Sequence, residues 1–275
     1  DRERERVGGE RRRRWDEFVR RVSEDENGGR EFLKKQEQLH RMLGTLGVES
    51  NPWNRPAQAY PVGRYGPVEL RRMRWNVEAG IDGEGLLVGP RQGANALIVF
   101  IPDADESPEL VLGLTEEPSR YAPFVSGLVN AGCAVIVPRL VSRSAAFSGN
   151  AALNRWTNQP GREWIHRQAF EMGRTLVGYE VARCLEAVYD NHAAHPFSGR
   201  RVGDGPRLPT GIAGVGEGGL IAMHAAALAP SSVQSVLVSG HFGPREKLWE
   251  EPIYRNVFGL LREFGDAELA ALIES

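Results

Sequence analysis

The stretch that decides the fold is Gly211-Ile212-Ala213-Gly214-Val215-Gly216-Glu217-Gly218-Gly219-Leu220-Ile221-Ala222. A short apolar run, Thr210 to Ala213, passes through a glycine-rich turn into an Ala-rich segment, Leu220 to Ala229. The pattern is strand, sharp turn, helix. Glycine permits backbone conformations that other residues adopt only with strain. Upstream, Ala96 to Ile101 and Cys133 to Val137 are continuous apolar runs, closed by Pro102 and Pro138. Such runs suit strands covered on both faces. Val233 to Val238 reads as the next strand downstream. Helical patterns lie between, over Tyr121 to Ala131 and over a long stretch from Glu163 to Asn191. Val177, Val181, Cys184, Leu185 and Val188 keep one apolar stripe in the latter. Val68 to Val77 and Gly85 to Val88 form a further strand pair, with Asp82-Gly83 as its turn signal. This alternation predicts an α/β domain with a mostly parallel sheet. Sites in such sheets lie beyond the carboxyl ends of the strands. The segments to inspect are therefore Asp103 to Glu106, Ser142 to Ser148, Val215 to Gly219 and Gly240 to Phe242.

Charge separates the first part of this 275-residue chain from the rest. Residues 1–48 hold 13 Lys/Arg and 11 Asp/Glu, half of the segment. Trp15, Phe18, Val19 and Val22 form one stripe there, Gly28-Gly29 interrupts it, and a second helix is expected from Arg30 to Leu43. Residues 49–65, rich in Pro, Asn, Gly and Tyr, read as a linker, and 66–275 as the main domain. Over the whole chain 34 Lys/Arg face 36 Asp/Glu, a net charge of −2. That balance excludes the basic excess of a nucleic-acid-binding domain, so no nucleic-acid partner is expected. The Arg11 to Arg14 run reads as a solvated helix face. No run is long enough to span a bilayer. Cys133 and Cys184 lack zinc-ligand spacing and read as small buried side chains, so neither metal nor cofactor is expected.

The Gly214 to Gly219 turn resembles the nucleophile elbow of the α/β-hydrolases, on the side of the dienelactone hydrolases and acetyl xylan esterases. The resemblance covers about residues 66 to 273. Besides the elbow, its carriers are Glu84-Gly85-Leu86-Leu87, Ile101-Pro102-Asp103, the Ala134 to Pro138 strand and the long helix. Gly214 and Gly218 match the flanking glycines of G-x-S-x-G, while the nucleophile position holds Gly216, which has no side chain to attack a carbonyl. The resemblance implies a three-layer sandwich with an N-terminal helical extension. It implies an ester or carbohydrate-like small molecule as ligand. It also implies that the Glu217 N–H and a second donor near Asp103 or Ala104 would stabilise an oxyanion, a device worth roughly 3–4 kcal/mol in a working enzyme. The family's acid and histidine follow the nucleophile in the chain. Here only His224 and His241 do, His224 inside the Ala-rich helix and His241 beyond a strand end, which makes His241 the candidate base. The chain stops about where the last catalytic strands are expected, so the sheet reads as truncated. Its Val233 to Val238 edge then points to self-association. Similar bacterial proteins are commonly exported, though residues 1–30 carry no such signal.

The function implied is that of a carboxylic ester hydrolase with impaired or lost serine-esterase activity. A non-catalytic binding or scaffold protein using the old pocket is the alternative. Gly214-x-Gly216-x-x-Gly219 also matches a dinucleotide fingerprint, but no acid lies in Val238 to Phe242, where a ribose partner is expected. Asp103, Glu217, Ser107, Ser144 and Ser148 are candidates for a relocated nucleophile. His166 reads as a surface or capping histidine, and His192 and His195 as loop residues.

Overall fold

The computed structural model describes residues 2–24, 28–45, 57–78, 80–103, 105–144, 149–150, 155–156, 161–189, 208–241 and 245–274. Its strands are β1 (Gln58–Tyr65), β2 (Val68–Glu78), β3 (Ile81–Pro90), β4 (Ala96–Ile101), β5 (Cys133–Pro138), β6 (Gly149–Asn150), β7 (Arg155–Trp156), β8 (Thr210–Val215) and β9 (Ser235–Ser239). Its helices are α1 (Arg2–Glu24), α2 (Gly28–Leu43), α3 (Pro108–Val111), α4 (Ala122–Asn130), α5 (Gly161–Glu171), α6 (Leu176–Tyr189), α7 (Glu217–Leu228), α8 (Leu260–Glu263) and α9 (Asp266–Glu274).

Residues 47–143 and 180–241 form one compact unit. Its seven-stranded sheet has the order β1-β2-β3-β5-β4-β8-β9. The β1, β2, β3 and β5 neighbours pair antiparallel, and β5, β4, β8 and β9 run parallel. Five of the seven strands thus point one way, which brings the carboxyl ends of β4, β5, β8 and β9 to one edge. Phe100, Val111, Val125, Val129, Val135, Val137, Ala213 and Val215 bury a core between the sheet and α3 and α4. Each Val or Phe among them contributes roughly 1.5–3 kcal/mol on burial. Helix α7 is buried along its whole length and lies close against β8. That closeness explains the small residues: a Cβ on Gly214 would strike the Gly218 carbonyl and lie 2.6 Å from the Ala222 Cβ.

Residues 1–46, 144–179 and 242–275 form the second unit. Trp15 packs edge-on against Phe18 at 4.8 Å and against Phe264 at 5.8 Å, and its indole N–H donates to the Glu263 carbonyl at 2.6 Å. Arg11 donates to Glu268 at 3.1 Å. The charged N-terminal helices therefore pack with the tail, a grouping that a composition boundary at residue 48 does not reveal. Val19, expected in the apolar stripe, is half exposed. At the α2–α6 crossing the Thr175 hydroxyl donates to the Leu43 carbonyl at 3.0 Å. A Cβ on Gly178 would overlap that same carbonyl group. Gly178→Ala is expected to cost about 2–3 kcal/mol, read from the urea midpoint. A loss below a few tenths would mean the helices separate freely there.

Three local expectations need correction. Residues 58–65, read as linker, are strand β1. An edge strand tolerates Pro61, which has no N–H to donate to a further neighbour, and the register shifts at Pro61/Gly63. The Glu163 to Asn191 helix is two helices, divided where Gly173 turns left-handed at φ 69°; positions 190 and 191 lie outside the described residues. Asp82-Gly83 sits inside β3 rather than at the turn, which falls at Gly80 with φ 81°. Gly83 is small because the Trp75 indole lies over it. The expected strand Val233 to Val238 is observed as β9, Ser235–Ser239, at the edge of the sheet opposite β1. It alternates exposed and half-buried positions, with Leu237 42% exposed.

Candidate functional site

The parallel strands deliver four loops to one edge of the sheet. After β8 the chain turns at Gly216, with φ 57° and ψ −121°, and enters α7 at Glu217. The turn is held from both sides. The Gly216 N–H donates to the Ser239 carbonyl at 2.8 Å, and the Gly219 N–H to the Gly216 carbonyl at 3.1 Å. Glycine adopts this positive φ without the cost that a side chain brings.

The space beside Gly216 is filled by Asp103, from the loop after β4. A Cβ built on Gly216 would lie 2.5 Å from Asp103 Oδ2 and 2.7 Å from its Cγ. The Glu217 N–H donates to Asp103 Oδ1 at 3.2 Å. Arg143, from the loop after β5, ties the cluster together. Its Nη2 donates to Glu217 Oε2 at 2.6 Å and to Asp103 Oδ1 at 3.4 Å, and its Nη1 to Asp105 Oδ2 at 2.7 Å. The Glu217 side chain is 3% exposed, whereas those of Asp103 and Asp105 are 41% and 64% exposed. The Arg143 loop is itself anchored, because the Val141 N–H donates to the fully buried Glu180 at 3.0 Å.

Several sequence expectations meet here and others do not. Gly216, Glu217 and Asp103 come together. Ala104 lies outside the described residues, as do Ser148, His192 and His195. Glu217 is buried, because its carboxylate finds the Arg143 guanidinium. His241 is buried and follows β9, with its Cβ 3.0 Å from where a Cβ on Gly219 would stand. His224 is fully buried in α7, its Nδ1 2.8 Å from the Leu220 carbonyl oxygen, as a packed histidine would be. Ser107 caps α3 by accepting the Leu110 N–H at 3.3 Å. In the other unit, His166, read as a surface or capping residue, is buried. Burial pushes its imidazole below the usual range, and the nearby Arg167 adds to this. Arg143 was within an inspected loop but carried no local signal, since its partners Asp103 and Glu217 lie 40 and 74 residues away.

The chemistry follows from charge. One guanidinium faces three carboxylates, and an anionic pyrophosphate at the start of α7 would meet Asp103 and Asp105 first. Among the described residues no group of three His, Cys, Asp or Glu side chains is arranged to hold a metal ion. Cys133 and Cys184 are free thiols, each raised above the usual range by burial. No described helix is long and apolar enough to cross a membrane.

No family model and no curated protein sequence matches the chain. Solved structures do. A provisionally assigned acetyl xylan esterase from Bacteroides fragilis NCTC 9343 superposes with a TM-score of 0.63 at 15% identity, over 89% of this chain and 66% of that one. The chain has an α/β-hydrolase fold. A methylesterase superposes with a TM-score of 0.52 at 13% identity, over 93% of this chain and 51% of its own. Acetyl xylan esterase 1 from Thermoanaerobacterium sp. JW/SL YS485 gives 0.47 at 13% identity, over 90% and 72%. This chain thus spans just under two thirds of the Bacteroides protein and about half of the methylesterase.

Proposed function

We propose that this chain is a carboxylic-ester-hydrolase relative whose elbow has lost its nucleophile and whose serine-esterase activity is absent. What carries the reading is the Asp103 carboxylate, seated beside Gly216 where a nucleophilic side chain would project. A serine mechanism needs a hydroxyl, a base and a free N–H for the developing oxyanion. Gly216 removes the first, and Asp103 accepts the Glu217 N–H that would serve the last. The ancestral substrate class is short acyl esters on carbohydrate-like molecules, as the acetyl xylan esterase among the fold neighbours suggests. The ion-paired strand ends favour a binding or scaffold role for the present slot. Self-association through the β9 edge remains part of this reading.

The test is hydrolysis of nitrophenyl acetate by the native chain, by Gly216→Ser and by Gly216→Ser/Asp103→Ala. The native chain is expected to match buffer. The single variant is expected to remain slow, because its new Cβ must displace a carboxylate held by Arg143. The double variant is expected to label with a fluorophosphonate faster than the single one. Phosphonate-resistant turnover by the native chain, lost in Asp103→Asn, would instead make Asp103 the nucleophile and overturn the reading.

A further inference from the structure

We propose that the strand-end slot is a carboxylate-binding site which the chain fills with its own Asp103, and which accepts a small free monocarboxylate once that side chain is withdrawn. The proposal rests on the reading above that Gly216 marks a slot without a nucleophile.

The three carboxylates around Arg143 are not equivalent. Glu217 is buried and 2.6 Å from Nη2, so it is a fixed part of the wall. Asp105 is mostly exposed and engages the other nitrogen, Nη1. Asp103 shares Nη2 at the longer distance of 3.4 Å, takes the Glu217 N–H, and sits in the space that a side chain on Gly216 would need. It is also partly open to solvent, which gives a ligand its approach. The slot is therefore lined on one side by fixed donors and on another by bare glycine backbone. Of the two carboxylates that Nη2 reaches, the present occupant is the more distant, at 3.4 Å against 2.6 Å.

Charge and size define the ligand. Among the described residues one guanidinium already faces three carboxylates, so a fourth carboxylate is not added; it replaces Asp103. The aspartate side chain beyond Cα is a tethered acetate, so acetate matches the space and formate matches the carboxylate alone. A bulky or dianionic acid meets Asp105 and the buried Glu217.

The experiment compares melting of the native chain, Asp103→Gly, Asp103→Asn and Asp103→Gly/Arg143→Gln in sodium acetate and in sodium chloride of equal ionic strength. For Asp103→Gly a saturable rise of about 3 °C or more in acetate over chloride is expected. The native chain and Asp103→Asn, whose slots are filled, are expected to melt alike in both salts. The Arg143→Gln partner change is expected to abolish the rise. Identical melting of Asp103→Gly in the two salts overturns the proposal, as does a rise that survives the loss of Arg143. If Asp103→Gly folds in neither salt, Asp103→Ala is melted with formate against chloride under the same criteria, and equal melting there overturns the proposal too. These melts need no turnover, so a native chain found to hydrolyse esters would defeat the earlier reading without deciding this one.

Discussion

Gly218→Ala is expected to destabilise the sheet-bearing unit by about 3 kcal/mol, at the upper end of what overpacking costs. The reason is geometric. A Cβ on Gly218 would fall on the carbonyl oxygens of both Ile101 and Pro102 and stand 2.7 Å from the Ile101 carbonyl carbon. All of these are backbone atoms, at the end of a central strand, and cannot rotate away as a side chain can. Relief requires α7 to lift from β4, which would loosen contacts along a helix buried at every position. Gly127→Ala provides the control within the same unit. It lies inside α4 with nothing within 4 Å of its Cβ position. There the change is expected to stabilise by roughly 0.5–1 kcal/mol, as helix-interior glycine replacements do. Urea unfolding of both variants checks the pair. Similar effects at the two positions would remove close backbone approach as the reason for glycine at 218.

The second large effect is expected at Arg143. Arg143→Met removes the guanidinium that pairs with Glu217, whose carboxylate stays buried. Breaking a buried ion pair from one side costs about 3–5 kcal/mol. Arg143 is one-third exposed, so solvent screens part of this, and roughly 2–3 kcal/mol is expected. Arg143→Lys keeps the charge but not the planar fork that reaches Glu217 and Asp105 from two nitrogens, and a loss of about 1 kcal/mol is expected. The informative measurement is a double-mutant cycle. Glu217→Gln in the Arg143→Met background should recover part of the loss, because the orphaned charge is gone. Strict additivity of the two changes would show that the pair does not interact.

How much of this was legible in the sequence depends on range. The strand-turn-helix at Gly214 to Gly219 announces itself through neighbours in the chain, and the strands β4, β5 and β8 fall where their apolar runs lie. Gly214 and Gly218 stand out as the flanking glycines of the turn; the reason for Gly214 is local, its approach to Gly218 and Ala222, whereas that for Gly218 lies in the distant carbonyls of Ile101 and Pro102. The errors have the opposite character. Pro61 and Gly63 look like linker residues, yet an unpaired sheet edge accepts them. Asp82-Gly83 looks like a turn, yet Gly83 answers to an indole eight residues earlier in the chain. Gly173 ends a helix whose stripe seems to continue across it. Within the site, Gly216 was visible as a turn position without a side chain, and the carboxylate that fills the space beside it was not. Asp103 had no pattern to mark it as a lodger beside Gly216, and Arg143 gains meaning only when three loops converge.

The pairing of Trp15 with Glu263 and of Arg11 with Glu268 has a consequence for birth at the ribosome. Helix α1 emerges with its Trp15 indole unmet, because the Glu263 carbonyl that takes its N–H follows 248 residues later. At roughly 5–20 residues per second that is a wait of about 10–50 s. Over that interval Trp15 and Phe18 are available to holdase chaperones, while the sheet-bearing unit, complete by residue 241, can already consolidate. Synthesis speed, rather than the equilibrium stability of either unit, then sets how long nascent α1 depends on protection.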